Sequence, residues 1–331
     1  MAFAKFGAVR ALLALLCAAL ALVSLAIGPV GVPPGRALAA LLVEDGPITT
    51  VLREIRAPRA VLGLMVGATL GLAGAALQGY LRNPLAEPGL IGVSGAAALG
   101  AVIALQTGLA AAFALALPLS ALAGSLAATG LILLLAGPRG GSLVLILAGI
   151  AVSALAGAGT ALVLNLSPNP YAAAEIVFWT MGSLADRSWT HVALAAPFMA
   201  AGWILLAMLA RPLDALTLGE DAAASLGVSP SRTRLLLVAG VAAPVGAATA
   251  VAGAIGFVGL VVPHLLRGLV GGRPGALLLP SALGGAALLT ATDIATRLVL
   301  PERDLKLGVL TAIVGAPLFL HLIWRQRARE A

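Results

Sequence analysis

Uninterrupted apolar stretches divide the chain into segments long enough to cross a lipid bilayer. The charge-free intervals cover residues 11–35, 60–81, 88–138, 140–174, 188–210, 235–266, 274–292 and 307–324. A transmembrane helix needs about 20 apolar residues, so the interval 88–138 must hold two. The interval 235–266 holds either one long span or two that are separated around GAIGFVG. The pattern predicts an all-helical polytopic membrane protein with nine or ten spans.

Basic residues near the ends decide between nine and ten spans. Lys5 and Arg10 precede the first span, and Arg325, Arg327 and Arg329 follow the last. Because positive charge gathers on the cytoplasmic side, we place both termini there, which requires an even number. The ten predicted spans are about 11–30, 60–81, 90–107, 112–136, 143–166, 191–210, 235–255, 256–270, 275–299 and 306–324. The cytoplasmic side then holds twelve basic and five acidic residues, which accounts for the whole net charge of +7.

Composition supports this class and argues against an enzyme. Hydrophobic residues make up 61% of the chain and charged residues only 10%, whereas a soluble domain carries nearer a quarter. The single cysteine, Cys17, excludes a disulfide within one chain, and we expect it to be a buried apolar residue. The sequence contains neither a GxxxxGK[ST] phosphate loop nor HExxH. We therefore predict no catalytic residue, metal site or cofactor on this chain.

Small residues recur at every fourth position of the second predicted span, at Gly63, Gly67, Gly71, Ala75 and Gly79. On a helix they form a shallow groove that lets a second backbone approach closely. One interpretation is ordinary helix packing. The other is a helix that slides or pivots against its neighbour during a transport cycle.

A polar elbow, RNPLAEP at residues 82–88, interrupts the apolar pattern after this helix. Arg82 places it on the cytoplasmic side, and Pro84 disfavours helix at Asn83. Glu87, followed by proline, is suited to begin the third span. The residues themselves predict a stiff turn here.

The largest predicted cytoplasmic loop, residues 211–234, reads as two short helices. We expect Asp214 to cap the start of the first, and Glu220 and Asp221 to occupy the first turn of the second. Gly227 fits the position after the second helix ends. The loop is either an amphipathic connector or a docking surface for a cytoplasmic partner.

Arginines on the predicted outer side also allow two interpretations. Arg56 and Arg59 precede the second span, and Asp293 and Arg297 are i, i+4 partners near the end of the ninth. They could pair within the chain at the membrane interface. They could instead receive an acidic soluble protein.

Four motifs together resemble the FecCD-type permeases of ABC importers. They are RAPRAVLGLMVGATLGLAGAALQGYLRNPLAEPGLIGVSG, LTLGEDAAASLGV, AGAIGFVGLVVPHLLR and LGVLTAIVGAPLFL. The resemblance runs from about Arg56 to the C-terminus, in a type II importer family that includes cobalamin, haem and ferric-siderophore permeases. It implies ten helices per subunit and a second permease subunit, in a homodimer or a paralogous heterodimer. Its other implied partners are two cytoplasmic ATPase subunits, which carry ATP and Mg²⁺, and a periplasmic binding protein.

The resemblance also implies roles for individual residues. The segment implied to couple to the ATPases contains Leu218, Gly219, Glu220, Asp221, Ala222, Ser225, Leu226 and Gly227. The implied cytoplasmic gate consists of Asn83 and Leu85 in the elbow with Ser142 and Leu143 at the fifth span. The residues implied to dock the binding protein are Arg56, Arg59 and Arg297. The second gate is often more polar in the family than Leu143 is here.

These features lead to one functional expectation and one alternative. We expect a permease subunit that moves a bulky iron chelate, a ferric siderophore or haem with cobalamin also open, across the bacterial inner membrane. The alternative is a secondary transporter or channel that works alone. Because no span carries the paired acids typical of an ion-coupled relay, the sequence favours an energy source on another chain.

Overall fold

The computed structural model describes residues 2–28, 31–33, 35, 46–113, 115–137, 141–167, 170–299 and 305–330. Within these ranges every regular element is helical. The helices are α1 (Ala2–Ala26), α2 (Pro47–Leu81), α3 (Val93–Gln106), α4 (Ala116–Ala136), α5 (Ser142–Asn165), α6 (Pro170–Thr180), α7 (Trp189–Ala207), α8 (Ala210–Leu216), α9 (Glu220–Ser225), α10 (Pro230–Ala252), α11 (Val258–Arg267), α12 (Pro274–Val299) and α13 (Leu307–Glu330). Single turns at Pro88–Ile91 and Leu109–Ala112 precede and follow α3.

Seven of these helices are long and apolar enough to cross a membrane, namely α1, α2, α4, α5, α7, α10 and α12. Three shorter apolar helices, α3, α11 and α13, accompany them. The interval 235–266 contains two helices, because α10 ends at Ala252 and α11 begins at Val258. The prediction of an all-helical polytopic membrane protein is confirmed. The crossing of all ten and their orientation stay predictions.

Helix α2 begins at Pro47, well before residue 60, where the second span was predicted to start. The early turns include a π-helical segment, Val51–Arg56, in which the Ala57 N–H donates to the Leu52 carbonyl five residues back. This widened turn is followed directly by Pro58, which has no N–H to donate. The charges of this segment misled the prediction, because they mark a polar end of α2 and not a loop before it.

A side chain from another helix supplies the hydrogen bond that Pro58 cannot donate. In the π-helical pattern the missing donor at Pro58 would have bonded the Arg53 carbonyl. The indole Nε1–H of Trp189, at the start of α7, donates to that oxygen at 2.8 Å. The early part of α2 is thereby tied to α7.

Helices α2 and α12 form the most extensive helix pair among the described residues, and the small residues of α2 line it. A methyl group on Gly67 would overlap the backbone of Gly285, and one on Gly71 would overlap the Ser281 carbonyl. The facing pairs run antiparallel: Gly63 with Thr290, Gly67 with Gly285, Gly71 with Ser281 and Gly79 with Pro274. The predicted groove therefore admits the backbone of α12, which is the close approach that small residues permit.

The remaining helices surround this pair. Helix α1 packs on α12, and Cys17 is buried there against Ala286 and Ala287, as predicted. Helices α10 and α11 pack on α2, while α10 also contacts α4 and α7. Helix α5 contacts α3 and α4 and leaves most of its apolar side chains exposed.

Candidate functional site

The elbow after α2 forms a tight turn that its own asparagine stabilises. Helix α2 ends at Leu81, and Arg82 adopts a left-handed conformation with φ of 49°. The Asn83 side-chain oxygen accepts a hydrogen bond from the Leu85 N–H at 2.9 Å, which is an Asx turn. Asn83 is exposed and Leu85 is half-buried. The stiff turn predicted from the prolines is present.

Glu87 does not start the third span. A 3-10 turn, Pro88–Ile91, and then Gly92 with φ of 76° separate it from α3, which begins at Val93. The Glu87 carboxyl instead lies near the Phe257 backbone N–H, at the start of α11, and the adjacent Pro88 packs on Gly259 of that helix. Burial raises the pKa of the Glu87 carboxyl, and the Phe257 N–H opposes the rise. The prediction that Glu87 begins the third span was wrong, because a carboxylate that favours a helix N-terminus can lie at the N-terminus of a helix that is distant in sequence.

The 3-10 turn Pro88–Ile91 and Gly92, which follow the elbow, lie against α5, the helix that carries the other predicted gate residues. A methyl group on Gly92 would lie 2.7 Å from the Gly149 carbonyl oxygen of α5. Ser142 begins α5, and its side chain falls outside the described part of the structure. Leu143 is 66% exposed. The segment that follows the elbow and α5 are thus neighbours, while a gating role for Asn83, Leu85, Ser142 and Leu143 stays a prediction.

The predicted coupling segment contains the short helix α9, and its termination is well defined. Glu220 and Asp221 occupy its first turn, as predicted. Gly227, with φ of 82°, follows its end, where its N–H donates to Ala224 and the Val228 N–H donates to Ala223. This pair of hydrogen bonds is a Schellman motif, which ends a helix sharply.

Apolar and acidic side chains alternate on the exposed surface of this segment. Leu218 is 68% and Leu226 65% exposed, one before α9 and the other after it. Glu220 and Asp221 are exposed between them, and Ser225 bonds back to the Asp221 carbonyl at 3.0 Å. The remaining predicted coupling residues are Gly219, which has φ of 108° just before α9, and half-buried Ala222 within it.

Asp214 does not cap the start of its own helix. It lies in the second half of α8, and its carboxylate accepts from the Gly275 N–H at 2.8 Å, in the first turn of α12. The same carboxylate pairs with Arg273 at 2.8 Å. Asp214 is therefore an N-terminal cap for α12, and it fastens the loop to the helix that packs along α2.

The three arginines predicted to dock a binding protein lie together at the opposite end of α2 and α12. Arg59 and Arg297 both pair with the buried carboxylate of Asp293, at 2.8 and 2.9 Å. Arg56 is only 5% exposed and donates to the Leu25 carbonyl of α1 at 2.8 Å.

These guanidinium groups cap the last turn of α1. Arg56 also donates to the Ala26 carbonyl, and Arg297 donates to the Ser24 and Ile27 carbonyls. The final carbonyls of a helix lack intrahelical donors, so these contacts satisfy them. The predicted Asp293–Arg297 pair is confirmed, and the docking role of Arg56, Arg59 and Arg297 stays a prediction.

One residue that sequence reasoning missed is Gln78, in the last turns of α2. Its side-chain amide is 2% exposed and bonds to α11 at the Gly259 and Leu260 carbonyls, at 3.3 and 3.2 Å. Its oxygen accepts from Arg267 at 2.9 Å. The available signal was an isolated amide in a charge-free span, since such residues face other helices and not lipid.

Comparisons with known proteins agree with this architecture. The FecCD transport family matches residues 15–325. The hemin transport system permease protein HmuU of Yersinia pestis is 40% identical over 282 residues, covering 84% of each chain. The Fe(3+) dicitrate transport system permease protein FecD of Escherichia coli (strain K12) is 40% identical over 307 residues, covering 93% of this chain and 95% of that protein.

A solved structure extends the agreement to three dimensions. It is described as an inward-facing conformation of a metal-chelate type ABC transporter, and its TM-score is 0.84 at 32% sequence identity. The alignment covers 96% of this chain and 99% of the other. The class defined by this fold is the polytopic permease of an ABC transporter. Because the family match spans most of the sequence, the chain belongs to the FecCD transport family.

Proposed function

We propose that this chain is the permease subunit of a binding-protein-dependent ABC importer for a bulky iron chelate. Family membership and the hemin and iron(III)-dicitrate relatives support this class of substrate. A ferric siderophore and haem are the favoured cargoes, and a cobalamin import permease of Halobacterium salinarum, 40% identical over 281 residues, keeps cobalamin open. Chelates of this size are selected by the binding protein, so the permease supplies a passage lined by small apolar groups.

The observation that carries the proposal is the position of α9 beside the elbow. A cavity of about 290 Å³ separates them, lined by Tyr80, Leu81 and Arg82 at the end of α2 and by Leu216 and Glu220 of the loop. A partner that binds the exposed leucines around α9 would push this loop, across the cavity, towards the end of the helix that carries the elbow. ATP-driven closure of two ATPase subunits is thereby converted into movement of Asn83 and Leu85.

The complete transporter then needs chains other than this one. We propose two ATPase subunits, which hold the ATP and Mg²⁺, a second permease subunit and a periplasmic binding protein. The permease lies in the bacterial inner membrane with both termini in the cytoplasm, an orientation that the positive-inside distribution of charge supports. The second permease subunit is a copy of this chain, which places two elbows on opposite sides of one central path.

Reversing the charge of α9 tests the coupling surface. We expect Glu220→Arg with Asp221→Arg to abolish stimulation of ATP hydrolysis by the permease while membrane insertion is retained, because the exposed acids meet basic groups on the ATPase. The measurement is ATPase activity of the reconstituted complex, together with co-purification of the two subunits. The control is Glu54→Arg, an exposed acid near the other end of α2, which should change neither. Full ATP-driven uptake by the double variant would contradict the coupling role.

Crosslinking tests the elbow as a gate. We expect Asn83→Cys, crosslinked to the same residue of a second copy, to block uptake, and a reducing agent should restore it. Cys17 is buried and offers no competing site. Efficient crosslinking with normal uptake would rule out the gate.

A further inference from the structure

The chain contacts the same turn of α11 at two places, one just before the elbow and one near the elbow's end. Gln78 precedes the elbow and bonds to the Gly259 and Leu260 carbonyls. Glu87, near the end of the elbow, lies by the Phe257 N–H, and the adjacent Pro88 packs closely on Gly259. The elbow residues between them, Asn83 and Leu85, make no hydrogen bond to α11 among the contacts that the structure describes. The elbow therefore has two anchors, and both are on residues 257–260.

A proline explains why the first anchor exists. In an α-helix the Gly259 carbonyl would accept from the N–H of residue 263, but residue 263 is proline, which has none. A buried carbonyl without a donor destabilises the folded protein. The Gln78 amide supplies a donor from α2, one turn after Gly74.

Two neighbours fix the Gln78 amide in place. A methyl group on Gly74 would overlap the Gly259 carbonyl oxygen, so α2 and α11 are already in backbone contact there. The Arg267 guanidinium donates to the Gln78 side-chain oxygen at 2.9 Å, which directs the amide N–H groups towards α11. The amide can then rotate neither towards the elbow nor away from α11.

The second anchor holds an unusual backbone conformation. Phe257 has φ of 67°, a left-handed value that is uncommon for a bulky residue. Its side chain packs on Gly315 of α13, where a methyl group would overlap it. The Glu87 carboxyl faces the N–H of this residue, at the positive end of the α11 dipole.

We propose that Gln78 and Glu87 are positioning residues that clamp the elbow to the first turn of α11, so that the gate residues between them move only together with that helix. This inference rests on the proposed gating function of Asn83 and Leu85. According to this proposal, the position of the gate is set by α11 and not by the prolines of the elbow alone. Helix α11 contacts α2, α12 and α13, so a shift in any of the three would reach the gate through it.

A spin label in the elbow tests the clamp. The full-length chain, with Cys17→Ala and Leu85→Cys, is labelled with a nitroxide at residue 85 and placed in lipid nanodiscs. We expect Gln78→Met to raise the ratio of mobile to immobile label about five- to tenfold, the change for losing one or two hydrogen bonds of ordinary net strength. The matched control is Gln106→Met, a glutamine at the end of α3 whose amide nitrogen has no hydrogen-bond partner among the described residues, and it should leave the spectrum unchanged.

A second substitution separates clamping from simple satisfaction of a buried carbonyl. Pro263→Ala gives residue 263 an N–H that can bond Gly259 within α11. In Gln78→Met with Pro263→Ala we expect the thermal unfolding midpoint to return towards that of the parent, while the label stays mobile. An immobile label in this double variant would overturn the proposal, because Gln78 would then only have filled the proline gap. The double variant also remains informative if Gln78→Met alone fails to fold.

The Glu87 anchor is tested in the same way. Glu87→Ala should mobilise the label, and Glu87→Gln, which keeps an acceptor oxygen, should restore most of the immobile fraction. Equal mobility in both would contradict a hydrogen-bonding role. These spectra do not depend on transport, so the clamp and the gate are tested separately. If the label becomes mobile in the Gln78 and Glu87 variants but crosslinking at Asn83 does not hinder uptake, the gate is refuted and the clamp stands.

Discussion

Asp293 holds the polar end of the α2–α12 pair together through two guanidinium groups. Its carboxylate is 3% exposed and bonds both Arg59 and Arg297 within 3 Å. Those arginines are themselves mostly buried, and Arg297 reaches α1 as well. Removing the one acid would leave two like charges in contact with no compensating group between them.

We therefore expect Asp293→Asn to destabilise the protein by about 3–5 kcal/mol, the usual effect of removing one partner of a buried ion pair. The measurement is the thermal unfolding midpoint of the purified protein in detergent. Asp221→Asn, which removes an exposed carboxylate, should leave the midpoint unchanged. An unchanged midpoint for Asp293→Asn would mean that the guanidinium groups are satisfied without it.

Single residues also show where sequence reasoning stops. Asp214 and Glu87 were assigned to the helices that follow them closely in sequence, because a carboxylate favours a helix N-terminus. In the structure Asp214 caps α12, and Glu87 lies at the start of α11. The preference of a carboxylate for a helix N-terminus was predictable. The particular helix was not, since the capping residue itself does not specify which helix N-terminus lies next to it.

At the scale of single elements, α9 was predictable because everything that defines it is local. Acids in the first turn and a glycine after the last turn lie within eight residues of each other. The groove on α2 was predictable in shape, because its fourfold spacing lies on one helical face. Its partner α12 was not, since the contact joins residues that are about 200 positions apart in sequence.

The α2 groove makes a steric prediction. Gly71→Ala should destabilise the protein by about 1–3 kcal/mol, because the methyl group would enter the α12 backbone and force the helices apart. The measurement is again the unfolding midpoint. Gly157→Ala, on an open face of α5 with no atom near the added methyl, should be neutral or stabilising. Equal effects at the two glycines would contradict close packing at Gly71.

Larger side chains distinguish packing from movement in the same groove. Gly63→Leu and Gly71→Leu would each block the approach of α12. If the groove only packs, the variants lose folded protein; if α2 pivots against α12, a folded but inactive protein remains. The backbone contacts at Gly67 and Gly71 are required by both interpretations, so the pivot stays a prediction.

Across the whole molecule, α2 connects the surfaces to which a function is assigned. It is 35 residues long, about 50 Å at 1.5 Å per residue. The arginine network lies near its beginning, the α12 groove along its middle, and Gln78 and the elbow at its end. Helix α12 runs antiparallel to it, from the Asp214 cap to Arg297. The Asp214 cap therefore fastens the loop to a helix pair that extends from the elbow to the arginine network.

The class of protein could be predicted from the sequence, because hydropathy and charge are properties of the bilayer environment as a whole. The structure adds the long-range contacts: α2 on α12, Gln78 on α11 and the arginines on α1. Each of these depends on which helices are neighbours, and apolar composition does not encode that choice. The predicted gate residues were therefore identified before the contacts that position them.

The most direct test of the central claim is uptake into proteoliposomes that contain this permease, its ATPase and an excess of loaded binding protein. Radiolabelled haem, a ferric siderophore and cobalamin are tested in turn. The account predicts that one of them accumulates only with ATP and Mg²⁺, that vanadate stops it, and that Glu220→Arg with Asp221→Arg reduces it to background. Accumulation that proceeds without ATP and ignores vanadate would contradict the account and point to a transporter working alone.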